Sequence, residues 1–300
     1  MSKIRAIFMG TPEFGIESAE VLRESAKIVG VVTQPDKAGG RGYKLRAPAM
    51  KEWAQERGIR VLQPARIKEA EEEVRELKPE IIIVVAYGQI LPQSILEMPK
   101  YGCINVHASL LPKYRGAAPI EWALINGEEK TGVTTMRMEA GLDTGEMLIK
   151  REVAISKEMI LPELEGELKR AGAEALRETL EGLIGGTLKG EKQDETLSSY
   201  APKVSKELGR INWLKPAESI HNLVRGLYGR AYTQINGRKY KIWRTRVIEE
   251  KLSPGQRIEK NERLLIGAGR GALEVEEIQA PNGKKLQISE FLRGHKQEIL

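Results

Sequence analysis

The segment 80–86 (EIIIVVA) constrains the fold most, because it is a continuous apolar run rich in β-branched residues. Such a run predicts a strand that is buried on both faces of a sheet. Further strands are predicted at 3–9 and 27–33, with a helix over 13–24 between them. Strands that alternate with helices predict an α/β domain with a mainly parallel sheet, in which ligands bind at the carboxyl ends of the strands.

The same alternation continues along the chain. Two more strands are predicted at 102–106 and 131–138, with a helix over 119–125 between them. A long helix is predicted over 158–183, because this segment is rich in Glu, Leu, Lys and Ala, with Pro162 in its first turn.

The last third of the chain has a different pattern. Asn236-Gly237 is a hairpin signal between short strand-like segments, and Asn282-Gly283 is another, between 273–278 and 285–288. Several short strands within about ninety residues are typical of a small antiparallel barrel. We therefore expect an OB-like β-barrel.

These patterns predict two domains. We expect the α/β domain over 1–186, a polar linker over 187–204 and the barrel domain over 205–300, with a helix over 217–227 at its start.

Composition excludes several classes of protein. Cys103 is the one cysteine of the chain, which excludes an intrachain disulfide framework and a multi-cysteine zinc site. The sequence has no run of 18 or more apolar residues, so no transmembrane helix is predicted. The N-terminal segment lacks the pattern of a signal peptide, and we expect a cytoplasmic protein.

The net charge of +6 is unevenly distributed. Residues 205–300 carry 19 basic and 11 acidic side chains, a net +8, whereas residues 1–204 carry a net −2. Residues 205–246 alone hold 10 basic and 2 acidic side chains, which predicts a basic face on the first part of the barrel and its leading helix. This imbalance favours an acidic partner, nucleic acid first, although solubility alone would also explain it.

Glycine spacing near the N-terminus bears on cofactor binding. Gly10 and Gly15 follow the first predicted strand, but they lack the G-x-G-x-x-G spacing of a dinucleotide site. NAD binding is therefore disfavoured, and we expect Gly10 to permit a tight turn at the strand end.

The densest chemistry lies where two predicted strands end. Asn105 and His107 are two residues apart, so in a strand their side chains point to the same side. Asp143 lies between Gly141 and Gly145 at another strand end. An amide and an imidazole can polarise a carbonyl and move a proton, and a carboxylate can orient the imidazole. The alternatives are a structural Asn–His pair and an Asp that caps a turn.

Two further features remain open. The segment 34–46 is a long basic loop with Lys37, Arg41, Lys44 and Arg46, and it is either functional or a solvated loop. Cys103 is either a nucleophile or a buried small hydrophobic residue, and the second interpretation is favoured.

Several segments together resemble one family of enzymes. They are MGTPEFG, VVTQPDKAGGRG, AYGQILP, NVHASLLPKYRGAAPIEWALINGE, TGVTTMRMEAGLDTG and YAPKV. The chain is similar in these segments to the methionyl-tRNA formyltransferases, from residue 4 to about 245. The N-x-H-x-S-L-L-P pattern is shared by enzymes of this fold that use 10-formyltetrahydrofolate, so it specifies the formyl donor better than the acceptor.

The resemblance implies transfer of a formyl group from 10-formyltetrahydrofolate to the α-amino group of methionine on initiator tRNA. It implies a Rossmann-like formyltransferase domain. Direct formyl transfer needs no metal, no membrane partner is expected, and a monomer is the default expectation. The implied catalytic residues are Asn105, His107 and Asp143. The implied folate-binding residues are Ser109, Leu110, Leu111, Pro112, Tyr87, Gly88, Ile90 and Leu91. The implied tRNA-binding residues are Lys37, Arg41, Lys44, Arg46, Lys206, Arg210 and Arg244.

Two alternative functions stay open. One is a formyltransferase for a small amine, such as a nucleotide sugar, or a hydrolase that releases formate, and neither needs a basic barrel. The other is a non-catalytic RNA-binding protein on an enzyme scaffold, which predicts a damaged catalytic trio. The basic C-terminal third argues against the first, and the intact trio argues against the second.

Overall fold

The computed structural model describes residues 3–39 and 44–300. The chain forms two compact units. The first consists of Met1–Gly116, Gly132–Val153 and Glu165–Tyr200, and the second of Ala117–Thr131, Ala154–Leu164 and Ala201–Leu300. The second unit thus includes two segments that lie within 1–186, and the domain boundaries at 186 and 205 stay a prediction.

A seven-stranded sheet is the centre of the first unit. The strands up to residue 201 are β1 (Arg5–Gly10), β2 (Lys27–Val32), β3 (Lys37–Gly39), β4 (Lys44–Arg46), β5 (Val61–Leu62), β6 (Ile81–Val85), β7 (Cys103–His107), β8 (Arg115–Gly116), β9 (Lys130–Arg137), β10 (Met147–Ala154) and β11 (Tyr200–Ala201). The sheet order is β10-β9-β7-β6-β1-β2-β5. Five adjacent strands, β7, β6, β1, β2 and β5, pair in parallel, and β9 pairs antiparallel with β7.

The apolar run 80–86, which contains β6, lies in the middle of this sheet. All five residues of β6 are buried, as predicted for a strand covered on both faces. The mainly parallel α/β sheet is therefore confirmed.

The helices follow the predicted alternation, with differences at their ends. They are α1 (Ile16–Ser25), α2 (Ala49–Glu56), α3 (Glu71–Glu76), α4 (Gln93–Leu96), α5 (Pro119–Ile125), α6 (Leu161–Ile184), α7 (Ala217–Gly226) and α8 (Ile288–Ile299). The predicted helical segment 13–24 begins as a 3₁₀ turn, Glu13–Gly15, and continues as α1.

The long helix begins three residues later than predicted. Pro162 lies in its first turn, as expected, and the Glu163 carboxylate accepts a hydrogen bond from the Ile160 backbone N–H at 3.1 Å. Because this bond satisfies a donor at the helix start, the helix begins at Leu161.

Gly10 is required for packing rather than for a turn. A Cβ at this position would lie 2.7 Å from Cε1 of Phe8 and 2.9 Å from the backbone oxygen of Val85. Gly10 is the last residue of β1, and only the absence of a side chain there lets β1 approach β6.

The second unit contains a curled antiparallel sheet of the OB-like type, which confirms the predicted fold class. Its strands are β12 (Tyr232–Ile235), β13 (Arg238–Ile248), β14 (Arg257–Lys260), β15 (Arg263–Gly267), β16 (Ala272–Gln279) and β17 (Lys285–Gln287). The order is β12-β13-β16-β15-β14, and β17 pairs with β16. Asn236 and Gly237, both with positive φ, form the predicted hairpin turn between β12 and β13.

The end of the chain differs from the prediction. The segment 285–288 is a strand only to Gln287, and Ile288 begins α8. Phe291 and Ile299 on this helix are buried in the core of the second unit. The helical spacing of these apolar residues predicts α8, but the segment 285–288 was interpreted as a short strand.

Candidate functional site

The predicted catalytic residues lie at one edge of the parallel sheet. Strands β6 and β7 are neighbours and parallel, with Val84 opposite Asn105. The loops that follow these two strands therefore meet at the same edge, where ligands bind in sheets of this kind. Asn105 is partly buried there and His107 is 6% exposed.

The loop after β9 brings Asp143 to the same place. Its Oδ1 lies 3.4 Å from Nδ2 of Asn105, and its Oδ2 lies 3.7 Å from Nδ1 of His107. Oδ2 also accepts the backbone N–H of Gly116 at 2.8 Å. The structure thus brings together all three residues that the sequence singled out.

The surroundings of His107 determine which ring nitrogen carries a proton. Its Nε2 lies 2.9 Å from the backbone oxygen of Tyr114. Because a carbonyl oxygen only accepts hydrogen bonds, Nε2 must be the donor. A neutral His107 therefore presents an unprotonated Nδ1 towards Asp143. The N–H of a neutral His107 is thus engaged by the Tyr114 carbonyl, whereas Nδ2 of Asn105 has a second hydrogen besides the one directed at Asp143.

Gln193 is a residue that sequence analysis missed. Its Nε2 donates to the backbone oxygens of Asp143 and Gly145, at 2.8 Å each. Because 187–204 is polar, it was interpreted as a linker, and nothing in its composition distinguishes this glutamine.

Part of the predicted folate-binding segment after β7 is buried and hydrogen-bonded within its own loop. Ser109 is fully buried and its hydroxyl donates to the backbone oxygen of Lys113 at 2.6 Å. Leu111 is buried too, whereas Leu110 and Pro112 are partly exposed. Leu110 and Pro112 are therefore the side chains of this segment with surface available to a ligand.

The predicted folate-binding segment after β6 divides in the same way. Tyr87 and Leu91 are buried, and burial raises the pKa of the Tyr87 hydroxyl to about 12. Gly88 has a φ of +83°, and Ile90 is 86% exposed. A large apolar side chain exposed in a loop at this edge of the sheet can cover an aromatic ligand.

Two residues hold this loop against its neighbours. Thr11 Oγ1 donates to the backbone oxygen of Tyr87 at 3.1 Å, and Gln34 Nε2 donates to the same oxygen at 3.2 Å. These contacts join the ends of β1, β2 and β6, and sequence analysis predicted neither residue.

The basic segment 34–46 contains a short hairpin. Strands β3 and β4 pair antiparallel, with Lys37 opposite Arg46, and both side chains are exposed. Lys44 lies in β4 by its backbone, and its side chain and Arg41 lie outside the described residues. The exposed pair carries two positive charges on one element.

Cys103 is buried, as expected, with its Sγ 3.5 Å from the backbone oxygen of Ile95. Burial raises the pKa of the Cys103 thiol to about 12, so the reactive thiolate is scarce near neutral pH. The interpretation as a buried small side chain is confirmed.

The cations predicted in the second unit differ in their surroundings. Lys206 and Arg210 are exposed. Arg244 is partly buried and forms an ion pair of 2.6 Å with Glu163. Burial alone would lower the pKa of Arg244, but the hydrogen bond and charge of Glu163 outweigh it and raise that pKa.

The antiparallel sheet carries a cluster of lysines and aromatic rings that sequence analysis did not single out. We call it the aromatic–lysine patch, and it consists of Tyr228, Tyr232, Lys239, Lys241, Trp243 and Lys285.

Cation–π contacts join these side chains. Lys239 Nζ lies 3.6 Å from the ring centre of Tyr232, and Lys285 Nζ lies 5.4 Å from that of Trp243. Tyr228 packs edge-on against Trp243, with ring centres 5.0 Å apart. Aromatic rings among lysines are typical of surfaces that bind single-stranded nucleic acid, although a solvated face can also carry them.

Over residues 3–39 and 44–300, the structure contains no cluster of three or more His, Cys, Asp or Glu side chains arranged to hold a metal ion. Within the same residues, no helix is long and apolar enough to cross a bilayer.

The class of the protein follows from two family profiles. The family described as "Formyl transferase" matches residues 3–180, and the one described as "Formyl transferase, C-terminal domain" matches residues 203–296. The first covers the sheet edge with Asn105, His107 and Asp143.

Curated relatives refine this class. The methionyl-tRNA formyltransferase of Ruminiclostridium cellulolyticum is 47% identical over 303 residues, which cover 98% of this chain and 97% of the relative. The methionyl-tRNA formyltransferase of Caldanaerobacter subterraneus is 48% identical over 300 residues, or 97% of each chain. The chain therefore belongs to the family of methionyl-tRNA formyltransferases.

Solved structures agree on the fold. The N-formyltransferase of Helicobacter canadensis, solved with folinic acid and dTDP-3-aminofucose, has a TM-score of 0.70 at 21% identity and covers 95% of this chain and all of its own. HypX of Aquifex aeolicus, solved with tetrahydrofolic acid, has a TM-score of 0.65 at 20% identity and covers 97% of this chain and 47% of its own.

Proposed function

We propose that this enzyme transfers the formyl group of 10-formyltetrahydrofolate to the α-amino group of methionine on initiator methionyl-tRNA. The observation that carries the proposal is the convergence of Asn105, His107 and Asp143 at one edge of the sheet. The curated relatives of the chain are methionyl-tRNA formyltransferases, which supports the same reaction. The cytoplasm, where charged tRNA is used in translation, is the proposed location, and a monomer is the proposed state.

Asn105 is the proposed donor to the substrate oxygen. When the amine attacks the formyl carbon, negative charge develops on the formyl oxygen. Nδ2 of Asn105 has two hydrogens, and its 3.4 Å approach to Asp143 orients the amide. The other hydrogen is proposed to stabilise the oxyanion.

His107 and Asp143 are the proposed proton carriers. As the bond between the amine nitrogen and the formyl carbon forms, the nitrogen must lose one proton, and N10 of the folate must gain one when its bond to carbon breaks. The orientation of His107 leaves Nδ1 able to accept the proton. Asp143 Oδ2 lies 3.7 Å from that nitrogen and is proposed to orient the imidazole.

The folate is proposed to bind against the two loops at this edge. Relatives of this fold have been solved with tetrahydrofolic acid and folinic acid, which supports a folate-type donor. Ile90, Leu110 and Pro112 offer apolar surface, while Gly88 lets the backbone approach the ligand. Tyr87, Leu91, Ser109 and Leu111 are proposed to shape the site from beneath.

Charge supports a tRNA acceptor over a small amine. The residues of the first unit carry equal numbers of acidic and basic side chains, 26 each, whereas those of the second carry 22 basic and 16 acidic. The whole net charge of +6 therefore belongs to the second unit. Phosphate binding by such a surface supplies affinity that a small amine does not need.

The proposed tRNA contacts come from both units. In the first unit they are Lys37 and Arg46 of the hairpin, with Arg41 and Lys44 beside them in sequence. In the second they are Lys206, Arg210 and the aromatic–lysine patch, with a smaller part for Arg244 because Glu163 already pairs with it.

A parallel assay tests the proposal. Purified enzyme with 10-formyltetrahydrofolate is given methionyl-tRNA, uncharged tRNA, tRNA charged with another amino acid, or an amino-sugar nucleotide. We expect formylation of methionyl-tRNA at a kcat/KM at least about 10⁴ M⁻¹s⁻¹, in the usual range for enzymes. Faster formylation of the amino sugar, or formate release without acceptor, would contradict the proposal.

A further inference from the structure

The backbone conformation of Asp143 needs support from outside its own loop. Its φ of +52° lies in the left-handed region, which non-glycine residues adopt at an energetic cost. Gln193 supplies part of this support, because the two hydrogens of its Nε2 bind the backbone oxygens of Asp143 and Gly145. One side chain from a distant segment thus holds the loop on both sides of Thr144.

The amide of Gln193 can bind in only one orientation. Its Oε1 accepts from Nη2 of Arg115 at 2.7 Å and from Nε of Arg115 at 3.0 Å. A guanidinium only donates hydrogen bonds and a backbone oxygen only accepts them. Oε1 must therefore face Arg115, and the NH₂ group must face the Asp143 loop.

Arg115 is itself fixed. Glu195 binds it with both carboxylate oxygens, at 2.8 Å each, and the side chain of Arg115 is largely buried. The hydrogen bond to Glu195 raises the pKa of Arg115. The next residue along the chain, Gly116, donates its N–H to the Asp143 carboxylate. Two consecutive residues of β8 thus support the same aspartate: Arg115 acts on its backbone through Gln193, and Gly116 binds its side chain.

We infer that Gln193 is a positioning residue for the reaction, which keeps the Asp143 carboxylate directed at Asn105 and His107. It touches neither of those side chains and acts through the backbone of the Asp143 loop. Arg115 sets the orientation of Gln193, and Glu195 sets that of Arg115. The role rests on the proposed function, because the value of a fixed Asp143 lies in formyl transfer.

Two variants of Gln193 test this role. Gln193→Leu removes both N–H donors. Gln193→Glu keeps an acceptor for Arg115 but places its second carboxylate oxygen, which cannot donate, against the backbone oxygens of Asp143 and Gly145. We expect each to lower kcat about 10- to 100-fold, since small displacements of catalytic groups have effects of this size. KM for the folate and Kd for tRNA should change by less than about threefold, because Gln193 acts through Asp143. Gln55→Glu, the same substitution at an exposed position of α2, is the matched control and should keep wild-type activity.

A double-mutant cycle separates positioning from general structural support. If Gln193 acts through Asp143, Gln193→Leu in an Asp143→Asn background should lower the residual kcat by less than about threefold. A full loss on top of Asp143→Asn, or a parallel loss of tRNA and folate binding, would overturn the inference.

A crystal structure of Gln193→Leu gives a readout that needs no acceptor. We expect the Asp143 Oδ2 to Gly116 N distance to lengthen from 2.8 Å to beyond hydrogen-bonding range. An unmoved Asp143 in the variant would contradict the inference, whatever the acceptor. A wild-type enzyme that fails to formylate methionyl-tRNA would contradict the proposed function instead.

Discussion

The sheet edge around His107 and the sheet surface around Trp243 are both polar, but their polar groups are organised differently. At the edge, His107, Asp143 and Gly116 are buried or partly buried, Gly116 donates a hydrogen bond to Asp143, and His107 donates one to the backbone oxygen of Tyr114. On the surface, lysine ammonium groups lie over rings at 3.6–5.8 Å. The difference fits the two proposed tasks, because chemistry needs a fixed geometry, whereas RNA is bound through charge on its phosphates and stacking of its bases.

The comparison also changes the interpretation of the charge count. The segment 205–246 has a net charge of +8, but several of its arginines pair with acidic residues outside it. These pairs are Arg230 with Glu121, Arg238 with Glu298, Arg244 with Glu163, and Arg246 with Glu276. A count along the sequence therefore overstates the charge available to RNA. In the aromatic–lysine patch, Lys285 is paired in the same way, with Glu277 at 3.0 Å, so Lys239 and Lys241 are the expected source of phosphate affinity.

The largest effect is expected at the sheet edge. Asn105→Ala removes the proposed oxyanion donor and should lower kcat by about 10²–10³-fold, the usual cost of one such donor. Steady-state kinetics measures the rate, and filter binding measures Kd for methionyl-tRNA, which should stay the same. A variant with near-normal turnover would remove Asn105 from the catalytic trio.

The next effect is expected at the aromatic–lysine patch. Trp243→Leu keeps apolar volume but loses the indole ring, and should weaken tRNA binding about tenfold, as expected for one lost base stack. The rate of the bound complex should not change. A titration of tRNA in a single-turnover assay separates the two quantities.

Lysines of the patch have a matched control. Lys241→Ala should weaken tRNA binding, whereas Lys251→Ala, at an exposed position after β13, should leave it within about twofold, since only phosphate contacts contribute. Equal losses from both variants would show that the patch has no special part in RNA binding.

A smaller difference is expected between two arginines. Arg210 is exposed, and Arg210→Gln should weaken tRNA binding more than Arg244→Gln. Arg244→Gln instead removes a partly exposed ion pair with Glu163, which should lower the free energy of unfolding by about 0.5–1 kcal/mol at most. Urea unfolding and filter binding on the same preparations would decide, and the reverse order would contradict the assignment.

The smallest effect is expected at Cys103. With a pKa of about 12, only about one thiol in ten thousand is ionised at pH 8, so iodoacetamide should not react with the folded enzyme. Reactivity should increase as pH rises towards that pKa. Cys103→Ala should keep activity within about twofold, as for a residue that packs rather than reacts. Rapid alkylation with loss of activity would contradict this role.

Features that depend on a local sequence pattern could be predicted from the sequence, and so could those that the family resemblance implies. The central strand, α5, the OB-like sheet and the convergence of Asn105, His107 and Asp143 all follow from periodicity or motif. Gln193 could not be predicted, because its importance comes from contacts with residues about fifty positions away. The tautomer of His107 likewise depends on one backbone oxygen that only the folded loop brings near.

The aromatic–lysine patch was missed for a similar reason. Tyr232, Lys241, Gln279 and Lys285 are opposite one another across β12, β13, β16 and β17, and the pair Lys241–Gln279 joins two hairpins that are distant in sequence. Only the strand register places them in a row. A count of charge along the chain cannot reveal such a row.

The most direct test of this division of labour is the salt dependence of single-turnover formyl transfer. At tRNA concentrations below Kd, raising salt from about 50 to 200 mM should lower the observed rate steeply, because counterion release governs phosphate binding. At saturating tRNA, the rate should stay constant within about twofold, since the buried edge around His107 is screened much less. A saturating rate that falls in parallel with the subsaturating rate would contradict the separation of chemistry from RNA binding.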